Sequence, residues 1–248
     1  MSSHDDLSEL QANWDRLGRE DPLWAILSEP GKRGEKWDVD AFFATGRDEV
    51  DALMREVDAR APALARGKAL DFGCGAGRLT RALAQRFDEV LGVDIAPSMI
   101  QLATTLNRDI PNCAFRANME SDLAFIPDAS VDFVYSSVTL QHVPPHATRA
   151  YLREFVRILA PGGVAVFNLP AGNDWSLKGI AHRVLPLGAV NWIRRRRHRC
   201  ASVIELHPIP RPQVVDVLRQ AGGRIIDITP DARTGLGWTG YLYYVGRT

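Results

Sequence analysis

The chain is poor in cysteine, and the few cysteines it has show no paired spacing. Its 248 residues contain three of them, Cys74, Cys113 and Cys200, with no Cys-x-x-Cys pair. An odd number of widely separated cysteines argues against a disulfide framework and against a structural zinc site. This usage is typical of the reducing cytoplasm, where we expect the protein to be found.

The chain also lacks an excess of charge of either sign and any long apolar run. Thirty lysines and arginines balance thirty aspartates and glutamates, so no global field attracts nucleic acid or an anionic membrane. The segment Met1–Asp6 has no apolar signal region, and no run approaches the roughly eighteen apolar residues of a membrane span. We therefore expect neither secretion nor a membrane span, and no nucleic-acid partner. The basic run Arg194–Arg199 is either a contact for a phosphate or an anionic surface, or a solvated loop.

The first 60 residues show helical rather than strand periodicity. Apolar residues recur at helical spacing in two stretches, Leu7, Leu10, Trp14 and Leu17, then Val50, Leu53, Met54 and Val57. Prolines and glycines between residues 22 and 40 predict a loop or short helix there. We predict a helical N-terminal cap over residues 1–60, followed by one domain over residues 61–248.

From residue 67 onward, short β-rich runs alternate with helical stretches, which predicts a parallel sheet with right-handed crossovers. The five predicted strands are Lys68–Phe72, Glu89–Val93, Cys113–Ala117, Phe133–Ser136 and Gly163–Asn168. Residues 171–207 break this alternation and predict an insertion after the fifth strand. The chain then resumes with a predicted helix, Gln213–Ala221, and two strands, Arg224–Thr229 and Tyr241–Val245.

A glycine-rich turn follows the first predicted strand, in the segment Leu70-Asp71-Phe72-Gly73-Cys74-Gly75-Ala76-Gly77. A strand, a tight glycine turn and a helix start let the backbone approach a nucleotide-like ligand closely. The carboxylate of Asp71 would repel a pyrophosphate but attract an ammonium or sulfonium charge. The turn therefore favours S-adenosylmethionine over NAD, which also needs its third glycine three residues after the second.

A second acid lies at the end of the next predicted strand, in Val93-Asp94-Ile95. About twenty residues past a glycine turn, a carboxylate can accept hydrogen bonds from both hydroxyls of a ribose. The alternative is that Asp94 caps the helix that begins at Pro97-Ser98-Met99.

These segments resemble the first two motifs of class I S-adenosylmethionine-dependent methyltransferases of the small-molecule type. The likeness covers roughly residues 60–170, with a family-like finish at 207–248. It continues in order through Asn118-Met119-Glu120, Val131–Ser137 and Leu159–Gly163. The resemblance implies a doubly wound, Rossmann-like α/β fold with a seven-stranded sheet, a reversed last strand and S-adenosyl-L-methionine as cofactor.

The resemblance also implies which residues surround the methionine part of the cofactor. Gly73 and Gly75 would let the loop pass beside it, with Asp71 near its ammonium group. Ser136, at the end of the fourth strand, is a further candidate for cofactor binding. Arg47 could pair with its carboxylate, since a guanidinium fork suits that geometry, or could be a solvated residue in the first turn of a helix starting near residue 48.

At the adenosine end, the resemblance implies that Asp94 holds the ribose and Ile95 lies on one face of the adenine. Met99 is a further adenine neighbour. Asn118 would accept a hydrogen bond from the exocyclic amine, where many relatives have an aspartate, and is otherwise a turn residue. Met119 would supply a backbone amide to the ring.

Two histidines are candidates for catalysis. His142 follows the fourth strand at the carboxyl end of the sheet, where it could remove a proton from a hydroxyl, or only cap the loop and pack on the cofactor. His207 is a second candidate base. His142 and His146 have a metal-like spacing, but Pro144-Pro145 prevents the helix that would align them, so we expect no metal.

The segment Ser136-Ser137-Val138-Thr139 does not match the box with which nucleic-acid amino-methyltransferases grip a base. The sequence thus favours a small-molecule acceptor, and we expect O-methylation by in-line transfer. Two alternatives stay open: a non-catalytic subunit that binds an adenosine cofactor, and an NAD-dependent oxidoreductase.

Overall fold

In the computed structural model, which describes residues 3–174, 176 and 205–247, seven strands form one sheet. The strands are β1 (Lys68–Phe72), β2 (Glu89–Asp94), β3 (Cys113–Ala117), β4 (Val131–Ser136), β5 (Leu159–Asn173), β6 (Gly223–Pro230) and β7 (Trp238–Arg247). Their order is β3-β2-β1-β4-β5-β7-β6. The first five pair in parallel, whereas β7 runs antiparallel to both β5 and β6. The predicted doubly wound sheet with a reversed last strand is confirmed.

Helices flank the sheet and build most of the N-terminal segment. They are α1 (Ser3–Glu20), α2 (Pro22–Ile26), α3 (Val39–Arg60), α4 (Arg78–Leu83), α5 (Pro97–Leu106), α6 (Pro145–Ile158) and α7 (Arg211–Gln220), with short 3-10 turns at Leu140–His142 and Ala232–Thr234. None of the described helices combines the length and the apolar character that crossing a membrane requires.

Apolar side chains bury both faces of the sheet, as a sheet with parallel strands requires. On one face, α3 and α4 pack against the strands through Val50, Val57, Leu83 and Phe133. On the other face, α6 and α7 pack through Leu152, Phe155, Phe167 and Leu218. A smaller cluster joins α1 to the start of α5 through Leu17, Ala96 and Met99.

Helix α3 begins much earlier than the sequence predicted. Asp38 caps its first turn by accepting a hydrogen bond from the Ala41 amide at 2.8 Å. Gly46, which looks like a helix breaker, lies inside the helix. A side chain would not fit at this position, because a Cβ would come within 2.4 Å of the Arg78 carbonyl oxygen. The glycine thus allows α3 and α4 to pack closely.

Strand β5 is also longer than predicted, at both ends. Pro161 and Gly162, which precede the predicted strand start at Gly163, fall inside β5, where the register between β4 and β5 shifts. At its far end β5 continues to Asn173, which pairs with Trp238. The start of the predicted insertion therefore belongs to the sheet, and most of residues 171–207, including Arg194–Arg199 and Cys200, lies outside the described residues.

Candidate active site

A cavity of about 720 Å³ opens at the carboxyl ends of the parallel strands. Open α/β sheets bind their ligands at this edge, and the volume is typical of a small-molecule site. Its lining comes from the turn after β1, the end of β2, the segment after β4 and the two N-terminal helices. Leu7, Leu10 and Trp14 of α1 form part of the wall.

The glycine turn after β1 is held tightly against its neighbours. Gly73 has φ +81°, and a Cβ at this position would lie 2.1 Å from the Thr139 side chain. Its amide donates to the Val93 carbonyl at 2.7 Å, which ties the turn to β2. Gly75 donates its amide to Asp94 Oδ2 at 2.8 Å. The turn thus presents backbone to the cavity where any larger residue would collide.

Asp94 lies in the cavity wall with both carboxylate oxygens engaged. Oδ2 accepts from Gly75, and Oδ1 accepts from the Ala96 amide at 2.9 Å. Burial raises the pKa of Asp94, whereas these two backbone hydrogen bonds lower it. The hydrogen bond to Ala96 does not cap α5, whose first turn is bound by Asp15 of α1 instead. Each oxygen of Asp94 retains a lone pair that can accept from a diol.

Three other predicted adenosine contacts meet in the same cavity, namely Ile95, Met99 and Asn118. The Asn118 amide nitrogen donates to the carbonyls of Glu120 at 3.1 Å and Asp122 at 2.9 Å. Both of its hydrogens are therefore used, which leaves Oδ1 as the acceptor that a ligand can reach. The side chain of Met119 is 49% exposed and does not line the cavity.

The two predicted polar residues at the ends of β1 and β4 are buried and do not line the cavity. Asp71 is 1% exposed and accepts a hydrogen bond from the Thr80 hydroxyl at 2.6 Å through Oδ2. Its other oxygen, Oδ1, has no partner among the described residues, and burial raises the pKa of Asp71 to about 7. The Ser136 hydroxyl is likewise buried without a partner in the described part of the chain, and the neighbouring Ser137 lines the cavity instead.

The structure does not bring Arg47 to the cavity, which corrects the expectation that it pairs with a cofactor carboxylate. Because α3 begins at Val39, Arg47 lies in the middle of the helix and faces solvent. Glu49, two residues later, lines the cavity. The error is one of helix boundary, since the sequence placed the helix start near residue 48 and α3 begins nine residues before that position.

A hydrogen-bonded cluster around Glu49 was not predicted. Glu49 Oε1 accepts from the hydroxyls of Tyr135 at 2.8 Å and Ser137 at 2.7 Å, and from Arg233 Nη1 at 3.2 Å. Oε2 accepts from Arg78 Nη2 at 2.7 Å. Burial alone would raise the pKa of Glu49, but Arg78 and the hydroxyl donors outweigh it and lower that pKa. No local motif could have revealed the cluster, since Arg233 is 184 positions from Glu49.

His142 lines the cavity in a fixed, neutral state. Its Nδ1 lies 3.0 Å from the Glu205 carbonyl oxygen, which can only accept, so Nδ1 carries the proton. Nε2 then accepts from the Gln141 amide nitrogen at 3.1 Å. Burial lowers the pKa of His142 to about 4. The ring also lies 5.5 Å from that of Trp14, measured between centroids.

His207 is near this group but does not line the cavity. Its backbone amide donates to the Gln141 carbonyl at 2.8 Å, and burial lowers its pKa. Within the described ranges, no three histidine, cysteine, aspartate or glutamate side chains are grouped so that they could hold a metal ion.

The sheet order, the glycine turn and the acid at the end of β2 define a Rossmann-like enzyme of the class I methyltransferase type. Comparison with known proteins agrees with this: residues 69–163 match the methyltransferase domain family. A trans-aconitate 2-methyltransferase from Azoarcus sp. (strain BH72) is 30% identical over 197 residues, which are 73% of this chain and 74% of that protein. The chain belongs to the class I S-adenosylmethionine-dependent methyltransferase family, whose cofactor is S-adenosyl-L-methionine.

Three further sets of similarities are informative. A malonyl-[acyl-carrier protein] O-methyltransferase from Serratia marcescens is 29% identical over 195 residues, covering 71% of this chain and 72% of that one. The solved structure of magnesium protoporphyrin IX methyltransferase from Synechocystis PCC 6803 with bound SAH has the same fold, with a TM-score of 0.64 at 15% identity over 97% of this chain and 99% of that one. Other trans-aconitate 2-methyltransferases are matched over about half of their length, from 40% to 54%.

Proposed function

We propose that the chain transfers a methyl group from S-adenosylmethionine to an oxygen atom of a small-molecule acceptor. The observation that carries this proposal is the cavity in which Asp94, the glycine turn and Asn118 meet beside an apolar wall. Two similar proteins support a small or carrier-bound acceptor by their names, a trans-aconitate 2-methyltransferase and a malonyl-[acyl-carrier protein] O-methyltransferase. The second name also supports oxygen as the atom that receives the methyl group.

The residues of the cavity fit the cofactor at its adenosine end. Asp94 offers two carboxylate oxygens to the ribose hydroxyls, Asn118 offers Oδ1 to the adenine amine, and Ile95 and Met99 offer apolar surface to the ring. A Cβ at Gly73 would meet Thr139, so the turn carries no side chain there and presents backbone beside the cavity. When bound, S-adenosylmethionine supplies a methyl group that its sulfonium charge makes electrophilic.

The methionine end of the cofactor would lie along the glycine turn, between Gly73 and the cluster around Glu49. Arg78 is the cation nearest to the turn in sequence, and its Nε is buried without a partner among the described residues. We assign to Arg78 the pairing with the methionine carboxylate that the sequence suggested for Arg47. Asp71 would act indirectly, since its carboxyl lies beside the turn but does not line the cavity.

The surroundings of His142 favour a role in positioning the acceptor over a role in removing a proton from it. With a pKa of about 4 and Nε2 already accepting from Gln141, it is a weak base at neutral pH. An ionised carboxylate acceptor would need no base. Catalysis would then depend on holding acceptor and methyl donor in line, which the walls of the cavity can do.

Replacing Asp94 tests the cofactor assignment. We expect Asp94→Ala to weaken binding of S-adenosylhomocysteine at least tenfold in isothermal titration, because the ribose loses its acceptors. Asp88→Ala, at an exposed site, is the matched control and should bind as the parent does. Unchanged affinity in Asp94→Ala would contradict the ribose assignment, and binding of NAD without binding of S-adenosylhomocysteine would overturn the function.

Transfer of a labelled methyl group separates the enzyme from a non-catalytic subunit. The parent protein, labelled S-adenosylmethionine and fractionated small molecules should give a labelled product that is lost in Asp94→Ala. Tight cofactor binding with no labelled product in any fraction would favour the non-catalytic alternative.

A further inference from the structure

Arg233 and Asp94 reach the cavity from opposite ends of the strand order. It lies in the 3-10 turn Ala232–Thr234 between β6 and β7, and its side chain lines the cavity. Asp94 ends β2, and β1, β4 and β5 lie between β2 and β7 in the sheet. A cofactor held by Asp94 and the glycine turn would occupy the β1–β2 side. Arg233 also contacts Glu49, beside which the methionine end would lie, and so it borders the cofactor on the side that is left for the acceptor.

The guanidinium of Arg233 is fixed in place by four residues. Nε donates to Asp231 Oδ1 at 2.9 Å, and Nη1 donates to the Tyr135 hydroxyl at 2.8 Å and to Glu49 at 3.2 Å. Nη1 also lies 3.3 Å from the Ser137 hydroxyl. Nη2 has no hydrogen-bond partner among the described residues. A rigid guanidinium with two free N–H groups is prepared to bind an anionic oxygen.

The charges around Arg233 leave room for an anion. Arg78 and Arg233 carry one positive charge each, and Glu49 and Asp231 carry one negative charge each, so this corner is neutral. Glu49 would repel an anion, but its oxygens already accept from both guanidinium groups and from two hydroxyls. A sulfonium cofactor with a zwitterionic end adds one net positive charge. That positive charge offsets the carboxylate of Asp94 in the same cavity, so the attraction for an anionic acceptor comes from the free Nη2 of Arg233 rather than from the net charge of the site.

We infer that Arg233 binds a carboxylate of the methyl acceptor through Nη2 and so determines the specificity of the enzyme for acidic substrates. The inference rests on the proposed function and names its substrate class. Tyr135 and Glu49 are positioning residues, because they hold Nη1 and thereby aim Nη2. The apolar wall around Trp14 and Leu206 would receive the rest of the acceptor.

The test uses protein saturated with S-adenosylhomocysteine and isothermal titration with three carboxylates, namely trans-aconitate, malonate and benzoate, each beside its uncharged methyl ester. We expect the parent to bind at least one acid more tightly than its ester. Arg233→Gln should weaken that binding at least tenfold, and Arg233→Lys should lie between, since it keeps the charge and loses the fork. Arg86→Gln, which breaks an exposed ion pair with Asp51, is the control and should change nothing.

The outcomes distinguish this inference from the proposed function. Equal binding of acid and ester by the parent, binding of no acid, or acid binding by Arg233→Gln within twofold of the parent would each overturn the role of Arg233. A tenfold loss of S-adenosylhomocysteine affinity in Arg233→Lys would place Arg233 at the cofactor and overturn the inference as well. Failure of the parent to bind S-adenosylhomocysteine would instead contradict the proposed function. The melting temperature of each variant shows that it is folded before it is titrated.

Discussion

The carboxylate of Asp15 accepts a hydrogen bond from the backbone amide of Ser98 at 2.8 Å, and the Ser98 hydroxyl donates to the Asp15 carbonyl at 2.9 Å. The two residues are 83 positions apart, one in α1 and the other in the first turn of α5. The N-cap residue of α5, Ala96, has no side chain that could cap the helix. Asp15 thus supplies the missing cap from another helix and ties α1 over the cavity.

This pairing predicts that Asp15→Ala destabilises the protein. Loss of a capping carboxylate costs about 1 kcal/mol, and the free energy of unfolding measured with urea should fall by about that amount. Because α1 forms part of the cavity wall, release of bound S-adenosylhomocysteine should also become faster. Glu9→Ala changes an exposed residue of the same helix and serves as the control. If both variants unfold at the same urea concentration as the parent, the cap contributes nothing.

Gly73→Ala and Gly162→Ala form a matched pair that separates backbone strain from close contact. Both glycines have φ near +80°, but a Cβ at Gly73 meets Thr139 at 2.1 Å, whereas one at Gly162 meets no atom of the described residues within 4 Å. Gly162→Ala should therefore cost about 1 kcal/mol of unfolding free energy and leave cofactor binding unchanged. Gly73→Ala should cost more and weaken S-adenosylhomocysteine binding at least tenfold. Equal effects of the two substitutions on binding would show that the turn does not need close packing.

The raised pKa of Asp71 predicts that the stability of the protein depends on pH. Its pKa is raised from 3.8 to about 7 in the folded chain, so folding favours the protonated carboxyl. This contribution is complete below about pH 4 and is lost as the pH rises through about 7. Asp71→Asn keeps an acceptor for Thr80 and removes the ionisation. Relative to the variant, the parent should lose up to about 1.4 kcal/mol of unfolding free energy per pH unit between pH 5 and 7.

Urea unfolding of the parent and Asp71→Asn at pH 5, 6, 7 and 8 checks this dependence. Asp88→Asn, at an exposed position, should run parallel to the parent over the whole range. If the unfolding free energies of Asp71→Asn and the parent change in parallel with pH, burial does not raise the pKa of Asp71.

The parts of the fold that depend on residues close together in the sequence could be predicted. Short β-rich runs marked all seven strands, and the glycine spacing marked the turn after β1, because strand propensity and backbone geometry are local properties. The end of β2 followed from the same pattern, which is why Asp94 lies at the cavity edge as expected. The errors fell at boundaries, such as the start of α3 at Val39, where a capping aspartate and a tolerated interior glycine outweighed the apparent breaks.

The sequence by itself determined the sheet, the glycine turn and the kind of cofactor, since these follow from short segments with local chemistry. Only the tertiary structure decided that Arg47 faces solvent, that Glu49 joins Arg78 and Arg233, and that Asp15 caps the helix of Ser98. These contacts join residues 29 to 184 positions apart. Their partners are selected by how the helices pack on the sheet, which is a property of the whole fold and leaves no trace in any short stretch of sequence.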